Sequence, residues 1–333
     1  MRLGVLDVGS NTVHLLVVDA HRGAHPTPRT SEKSVLRLAE QIDAEGRLTR
    51  EGADRLVRTV AASASAASAM GCDDMLAFAT SAVREAPNAA EVLNRVQAET
   101  GVAMEALSGE QEARLTFLAA RRWYGWSAGR LLMLDIGGGS LEIAAGIDEE
   151  PDVAVSLPLG AGRLTREWIR HDPPDRSELG DVRDHIAEVL SRPARAVRDA
   201  GAPDRVVATS KTFRSLARLT GAAPSSEGPR VRRILTAAGL RQVIAFISRI
   251  SAADLAELEG VGAGRAHQLV AGAVVADIAM RELSVSEVYI CPWALREGVI
   301  LRRLDWLDGI DRTAQPGSRP PRSTGRTAVR GAR

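Results

Sequence analysis

Two stretches of this chain carry the same pattern of apolar and polar positions. Residues 3–8 are apolar apart from Asp7, residues 9–12 read Gly-Ser-Asn-Thr, and an apolar run follows over 13–18 around His14. Residues 131–136 are apolar apart from Asp135, residues 137–140 read Gly-Gly-Gly-Ser, and 141–146 again run apolar around Glu142. Apolar runs of this length, separated by a tight Gly/Ser/Asn turn, predict strand–turn–strand hairpins. Asp7 and Asp135 lie 128 positions apart. A duplicated hairpin at that separation predicts two related domains that face each other, with the second beginning near residue 128.

Between the hairpins the pattern alternates helix and strand. A helix is expected over 49–69 and a buried strand over 75–80. Asn88 and Glu91 have capping-box spacing ahead of a helix that ends at Gly101, and Ser108 and Gln111 have it ahead of a helix from Gly109 to about Tyr124. In the second half a strand over 205–208 feeds a helix from about Thr212 to Thr220, closed by Gly221. Such alternation predicts an α/β chain with helices against mixed sheets.

Composition sharpens the picture in three places. The chain has 333 residues, 45% hydrophobic and 26% charged, so it is of ordinary globular type and long enough for two domains. The formal net charge is +1, yet residues 312–333 hold six Arg and no acid, which leaves the preceding residues at −5. That body lacks the broad basic face that non-specific nucleic-acid binding uses, and the Arg/Pro/Gly-rich stretch 312–333 is expected to be a disordered tail. Cys72 and Cys291 have no metal-ligand or disulfide-framework spacing. The opening residues lack signal-peptide regions, and the apolar stretch 269–280 is too short to span a bilayer and contains Asp277. The expectation is a cytoplasmic chain with no membrane contact.

The candidate chemistry follows from the turns. Glycine turns bring backbone N–H groups close to phosphate oxygens. Asp135 at a strand end and Glu142 across the hairpin suit Mg2+, a cation that prefers oxygen ligands. Glu110 and Glu112 both stand in a first helical turn, where the dipole stabilises carboxylates, and spacing alone leaves open which of them would orient a water. Arg84 follows a buried strand, as a phosphate clamp would. Residues 258–270, rich in glycine, imitate a helix-hairpin-helix, but one copy in an acidic body carries no case for DNA binding, and no strand precedes it as a dinucleotide loop requires.

Five segments in order resemble the exopolyphosphatase / guanosine-pentaphosphate phosphohydrolase (Ppx/GppA) family, and within it the short actinobacterial exopolyphosphatase type. They are Asp7-Val8-Gly9-Ser10-Asn11-Thr12, Ala79-Thr80-Ser81-Ala82-Val83-Arg84, Ser108-Gly109-Glu110-Gln111-Glu112-Ala113-Arg114-Leu115, Asp135-Ile136-Gly137-Gly138-Gly139-Ser140-Leu141-Glu142 and Leu295-Arg296-Glu297-Gly298-Val299. The resemblance implies an α/β fold of the actin-like ATPase (ribonuclease H-like) type, duplicated and two-lobed with an interlobe active-site cleft. It implies lobes 1–127 and 128–311 followed by the tail 312–333. It assigns Glu112 as catalytic base and Arg84 to the scissile phosphate. Phosphate binding falls to Ser10, Asn11, Gly137, Gly138, Gly139 and Ser140, with Ser210, Lys211 and Thr212 in the second lobe's other loop. The metal, Mg2+ or alternatively Mn2+, falls to Asp135, Glu142 and Asp7.

The implied activity is removal of terminal phosphates from inorganic polyphosphate, with a stringent-response pppGpp 5′-phosphohydrolase as the alternative and a polyphosphate- or nucleotide-sensing regulator as the non-enzyme rival. No specific nucleic acid and no membrane are expected as partners, and a homodimer is. One loop departs from the family pattern. Where many relatives have a glycine-rich turn, this chain reads Ala208-Thr209-Ser210-Lys211-Thr212, and Lys211 is expected to sit where a positive φ favours glycine. Residues 265–272 are expected to lead into a core helix through close packing at Ala271 and Gly272.

Overall fold

Each hairpin forms, and both close in the same way. The structure, a computed structural model, describes residues 1–21 and 26–307. In the first hairpin Gly9 N–H donates to Thr12 O at 3.0 Å; in the second Gly137 N–H donates to Ser140 O at 2.9 Å. The 312–333 tail expected from composition lies outside the described residues.

The described chain divides into two compact units, Met1–Ser108 with the chain from Val299, and Gly109–Gly298. This places the boundary at 108/109 rather than at 127/128, and it returns the end of the last helix to the first unit.

In the first unit the strands are β1 (Arg2–Val8), β2 (Thr12–Asp19), β3 (Pro28–Val35), β4 (Asp74–Ala79) and β5 (Met104–Ala106). They form one sheet in the order β3-β2-β1-β4-β5. The helices are α1 (Arg50–Ala69), the short α2 (Ser81–Arg84) and α3 (Ala89–Thr100). Alternation along the strands turns Leu6, Val8, Val13, Leu15, Val17, Ala77 and Ala79 to one face, where they pack with Leu56, Val60, Val92 and Val96 of α1 and α3. Thr49 caps α1 by accepting from Gly52 N–H. The expected capping box at Asn88 does not form. Both ends of the Asn88 amide bond instead to the backbone of Leu48, each at 2.9 Å, and Glu91 pairs with Arg47. Gly101 does end α3 in the left-handed conformation.

In the second unit α4 (Gly109–Tyr124) precedes β6 (Leu131–Ile136), β7 (Leu141–Gly146) and β8 (Val153–Leu157). Then come α5 (Ala161–Trp168), α6 (Arg176–Asp199), β9 (Arg205–Thr209), α7 (Ser210–Leu219), β10 (Ile234–Thr236), α8 (Ala237–Ile247), α9 (Ala252–Ala256), α10 (Leu269–Glu282) and β11 (Glu287–Ile290), and the last helix, α11 (Leu295–Leu307), begins in this unit and continues into the first. The sheet order is β10-β11-β9-β6-β7-β8. Its core repeats the first sheet. β6 pairs antiparallel with β7 and parallel with β9, as β1 does with β2 and β4.

Leu132, Leu134, Ile136, Leu141 and Ile143 face one side, with α5, α6, α7 and α10, while Leu131, Met133 and Ala144 face the other, with Ala113, Phe117 and Ala120 of α4. The glycine-rich segment 258–270 forms no helical hairpin: the turn Ala263–Gln268 runs directly into α10, most of whose side chains are buried. Gly272 lets α10 approach α5 and α7, since a Cβ there would meet Thr212 Cγ2 at 2.6 Å and Ala161 Cβ at 3.1 Å. No helix among the described residues is long and apolar enough to cross a membrane.

Candidate active site

The second hairpin turn has its orientation set from outside. The carbonyl of Gly137 accepts from Ala161 N–H at 3.0 Å, that of Gly138 from Arg163 N–H at 2.9 Å, and that of Gly139 from Arg163 Nε at 2.9 Å. All three carbonyls are thus held by the first turn of α5. In a planar trans peptide the N–H points opposite to its C=O. The amides of Gly138, Gly139 and Ser140 therefore point away from α5, and successive amides so aligned form an anion-binding concavity. The approach is close because residue 160 is glycine; any Cβ there would overlap the Gly139–Ser140 peptide. Sequence reading missed Gly160 and Arg163, although the Gly-x-Gly pair of residues 160 and 162, at the start of this helix, was a visible signal.

Asp135 and Glu142 are direct partners across β6 and β7. Period-2 alternation puts them on the face of Met133 and Ala144, the face α4 covers. Glu142 is buried, and its Oε1 accepts from Ser156 Oγ at 2.8 Å. Mg2+ prefers oxygen ligands, and it commonly takes one or two carboxylates and completes its shell with water and phosphate oxygens. The pair therefore fits such an ion. Asp7, the equivalent of Asp135, has His14 opposite it, so the first hairpin makes no second acid pair. Among the described residues the only set of three converging ligand groups is His171, Asp175 and Glu178, and there Asp175 and Glu178 form the capping box of α6.

The structure separates the two glutamates of α4. Glu110 is exposed and paired with Arg114 at 2.8 Å, whereas Glu112 is buried to 7% exposure on the helix that covers Asp135 and Glu142. A buried carboxylate on that helix, rather than an exposed one in a surface ion pair, is the candidate base.

Ser210, Lys211 and Thr212 open α7 at the end of β9, beside Asp135, which registers with Thr209. The expected positive φ falls on Ser210, at 80°, and not on Lys211, which is an exposed helical residue. Ser210 Oγ accepts from Phe213 N–H. Thr212 is a strut: its hydroxyl is buried and donates to Ile136 O at 3.2 Å, fixing α7 against the end of β6, so the side chain does not serve as a phosphate ligand.

In the first unit the turn is held in the corresponding way. Ser10 O accepts from Ala39 N–H, and Asn11 O accepts from both Leu36 and Arg37 N–H, which turns the Asn11 amide away from that segment. Ser10 Oγ lies 3.0 Å from Ser81 Oγ, so the hairpin turn meets the start of α2. Arg84, at the end of α2, is 18% exposed, donates to Leu107 O at 3.1 Å and pairs with Glu85 at 3.4 Å.

Two mixed sheets sharing one topology, each with a glycine-bearing hairpin turn, define a duplicated α/β protein of the actin-like ATPase type. Solved structures share it. An exopolyphosphatase from Cytophaga hutchinsonii aligns with a TM-score of 0.83 at 24% identity, over 92% of this chain and 98% of its own. A Ppx/GppA enzyme from Aquifex aeolicus aligns with a TM-score of 0.75 at 25% identity, over 90% and 99%. The chain belongs to the Ppx/GppA phosphatase family, whose profile matches residues 17–306. It is 66% identical to exopolyphosphatase 1 of Mycobacterium tuberculosis over 92% of this chain and 89% of the relative. It is 63% identical to exopolyphosphatase 1 of Mycobacterium leprae over 92% and 90%.

Proposed function

We propose that the chain is an exopolyphosphatase that releases terminal phosphate from inorganic polyphosphate by attack of water on the terminal phosphorus. The observation that carries this reading is the turn at 137–140, with its three carbonyls bound to α5 and its amides directed away. The names of the mycobacterial relatives support the substrate.

The terminal phosphate is held by the amides of Gly138, Gly139 and Ser140. Asp135 and Glu142 would hold Mg2+, or Mn2+, which neutralises charge on the phosphoryl oxygens when bound. Glu112 accepts a proton from water as the water oxygen bonds to phosphorus. The bridging P–O bond breaks, and the shortened chain departs as an already ionised phosphate. Phosphoryl transfer needs positioning and charge stabilisation more than covalent chemistry, which suits a site of backbone amides and cations. Arg84 is assigned to the scissile phosphate, Ser10 and Asn11 to phosphate contact at the first unit's own turn, and Ser210 and Lys211 to phosphates further along the chain.

The test is phosphate release from short polyphosphate, long polyphosphate and guanosine pentaphosphate, compared side by side. Faster release from polyphosphate is the expected result. Release from guanosine pentaphosphate alone would replace the reading with a nucleotide phosphohydrolase, and release from none would leave a sensing regulator.

A further inference from the structure

The side of the 137–140 turn that meets α5 holds a buried polar group that the proposed reaction does not use. Gln268 closes the turn Ala263–Gln268 and stands directly before α10. It is 2% exposed, and its Oε1 is buried with no donor among the described residues. Its neighbours in the chain are apolar: Ala266, Leu269 and Val270 all belong to the core of this unit. A buried carbonyl without a donor costs free energy that an apolar side chain of the same shape would not, so a polar group here needs a reason.

Its direction supplies one. Gln268 and Gly272 are four residues apart, so both look from the start of α10 toward the first turn of α5. A Cβ on Gly272 would meet Ala161 Cβ at 3.1 Å. A Cβ on Gly162 would meet Gln268 Oε1 at 2.5 Å and Gln268 Cδ at 3.7 Å. The difference, 3.7 − 2.5 = 1.2 Å, matches a C=O bond of about 1.23 Å, so the carboxamide oxygen points straight at that position. Gly138 O borders the same position at 3.1 Å. That carbonyl already accepts from Arg163 N–H and has a second lone pair to offer. Two acceptors thus share one small space. A half-turn about the last torsion of Gln268 exchanges its oxygen for its NH2 group at almost unchanged shape, and a donor then faces the acceptor.

We infer that Gln268 is a positioning residue of the phosphate turn. With its NH2 group turned inward it donates to the Gly138 carbonyl and fixes the Gly138–Gly139 peptide, so that the Gly139 amide stays aimed at the terminal phosphate. The inference rests on the reading of residues 137–140 as the phosphate site. Gln268 touches no reacting atom and acts through Gly138, from the side opposite the phosphate.

Gln268→Met keeps the length of the side chain and removes its donor. In urea denaturation this variant is expected to be at least as stable as the wild type, because the orphaned oxygen is gone. Its KM for polyphosphate and its dissociation constant for inorganic phosphate should each rise about tenfold, with kcat within about threefold, the pattern of lost uniform binding. Gly162→Ala sets a methyl group against the carboxamide oxygen, is expected to give the same kinetic result, and serves should Gln268→Met fail to fold. Wild-type KM and phosphate affinity in a folded variant, or kinetic losses that appear only together with a loss of urea stability, would overturn the inference. Phosphate affinity keeps this result apart from the proposed function. A wild-type protein that binds phosphate but hydrolyses no polyphosphate defeats the proposed reaction alone, and the affinity of Gln268→Met still decides the role of Gln268.

Discussion

Arg163 donates from Nε to the carbonyl of Gly139 at 2.9 Å, so a side chain of α5 fixes which way a peptide of the candidate phosphate turn faces. Without that donor the Gly139–Ser140 peptide is freer to rotate, and the Ser140 amide loses its aim. Arg163→Ala should reduce kcat/KM for polyphosphate about tenfold, which corresponds to about 1.4 kcal/mol. Arg163→Lys should recover part of the loss. Steady-state kinetics on both variants check this, and unchanged kcat and KM in Arg163→Ala would show that the turn keeps its orientation unaided.

Burial distinguishes the two acids of α4, and activity should follow burial. Glu112→Gln should fold normally and lose about 10² or more in kcat, the scale of a lost general base. Glu110→Gln removes an exposed ion pair with Arg114 and should stay within a few-fold of wild type. Near-wild-type turnover in Glu112→Gln would end the assignment.

The opposed pair Asp135 and Glu142 should make activity depend on Mg2+ or Mn2+. Excess chelator should abolish phosphate release, and Asp135→Asn and Glu142→Gln should each raise the metal concentration needed for half-maximal rate. Metal titrations of the three proteins decide this, and full activity in chelator would refute a metal at this pair.

The positive φ that the sequence pattern placed at Lys211 falls on Ser210. A left-handed residue other than glycine costs about 1–2 kcal/mol, so Ser210→Gly should raise stability by about 1 kcal/mol in urea denaturation. Lys211→Ala should raise KM for polyphosphate with kcat within a few-fold, and the difference should shrink with added salt because the side chain is exposed. An unchanged KM at low salt would mean that the Lys211 ammonium does not reach the substrate.

Burial pushes the Cys291 thiol up to about 12 from its ordinary value of 9.0. The folded thiol therefore stays protonated where the unfolded one ionises, so its contribution is intact below pH 9 and stability should fall as pH rises from 9 toward 12. Iodoacetamide at pH 8 should leave Cys291 unmodified in the folded protein and label it after unfolding, which peptide mass spectrometry reads directly. Rapid labelling of Cys291 in the native state would contradict the burial.

The sequence by itself determined the hairpins at Asp7 and Asp135, the glycine turns, the α/β alternation and the family, because these rest on short-range patterns: strand periodicity, turn chemistry and motif order. Where contacts come from distant segments, local pattern was not enough. The Asn88–Glu91 spacing read as a capping box, but Leu48 lies forty residues away and takes the Asn88 side chain. Glu110 and Glu112 are equivalent to the helix dipole, and only the packing of α4 on β6, β7 and β8 buries one and exposes the other. That same packing places α4 with the second unit, although in sequence it is continuous with the first. The support of the 137–140 turn by Gly160 and Arg163 is likewise tertiary. A carbonyl's direction is decided by what bonds to it, and its partners here come from a helix some twenty residues further along the chain.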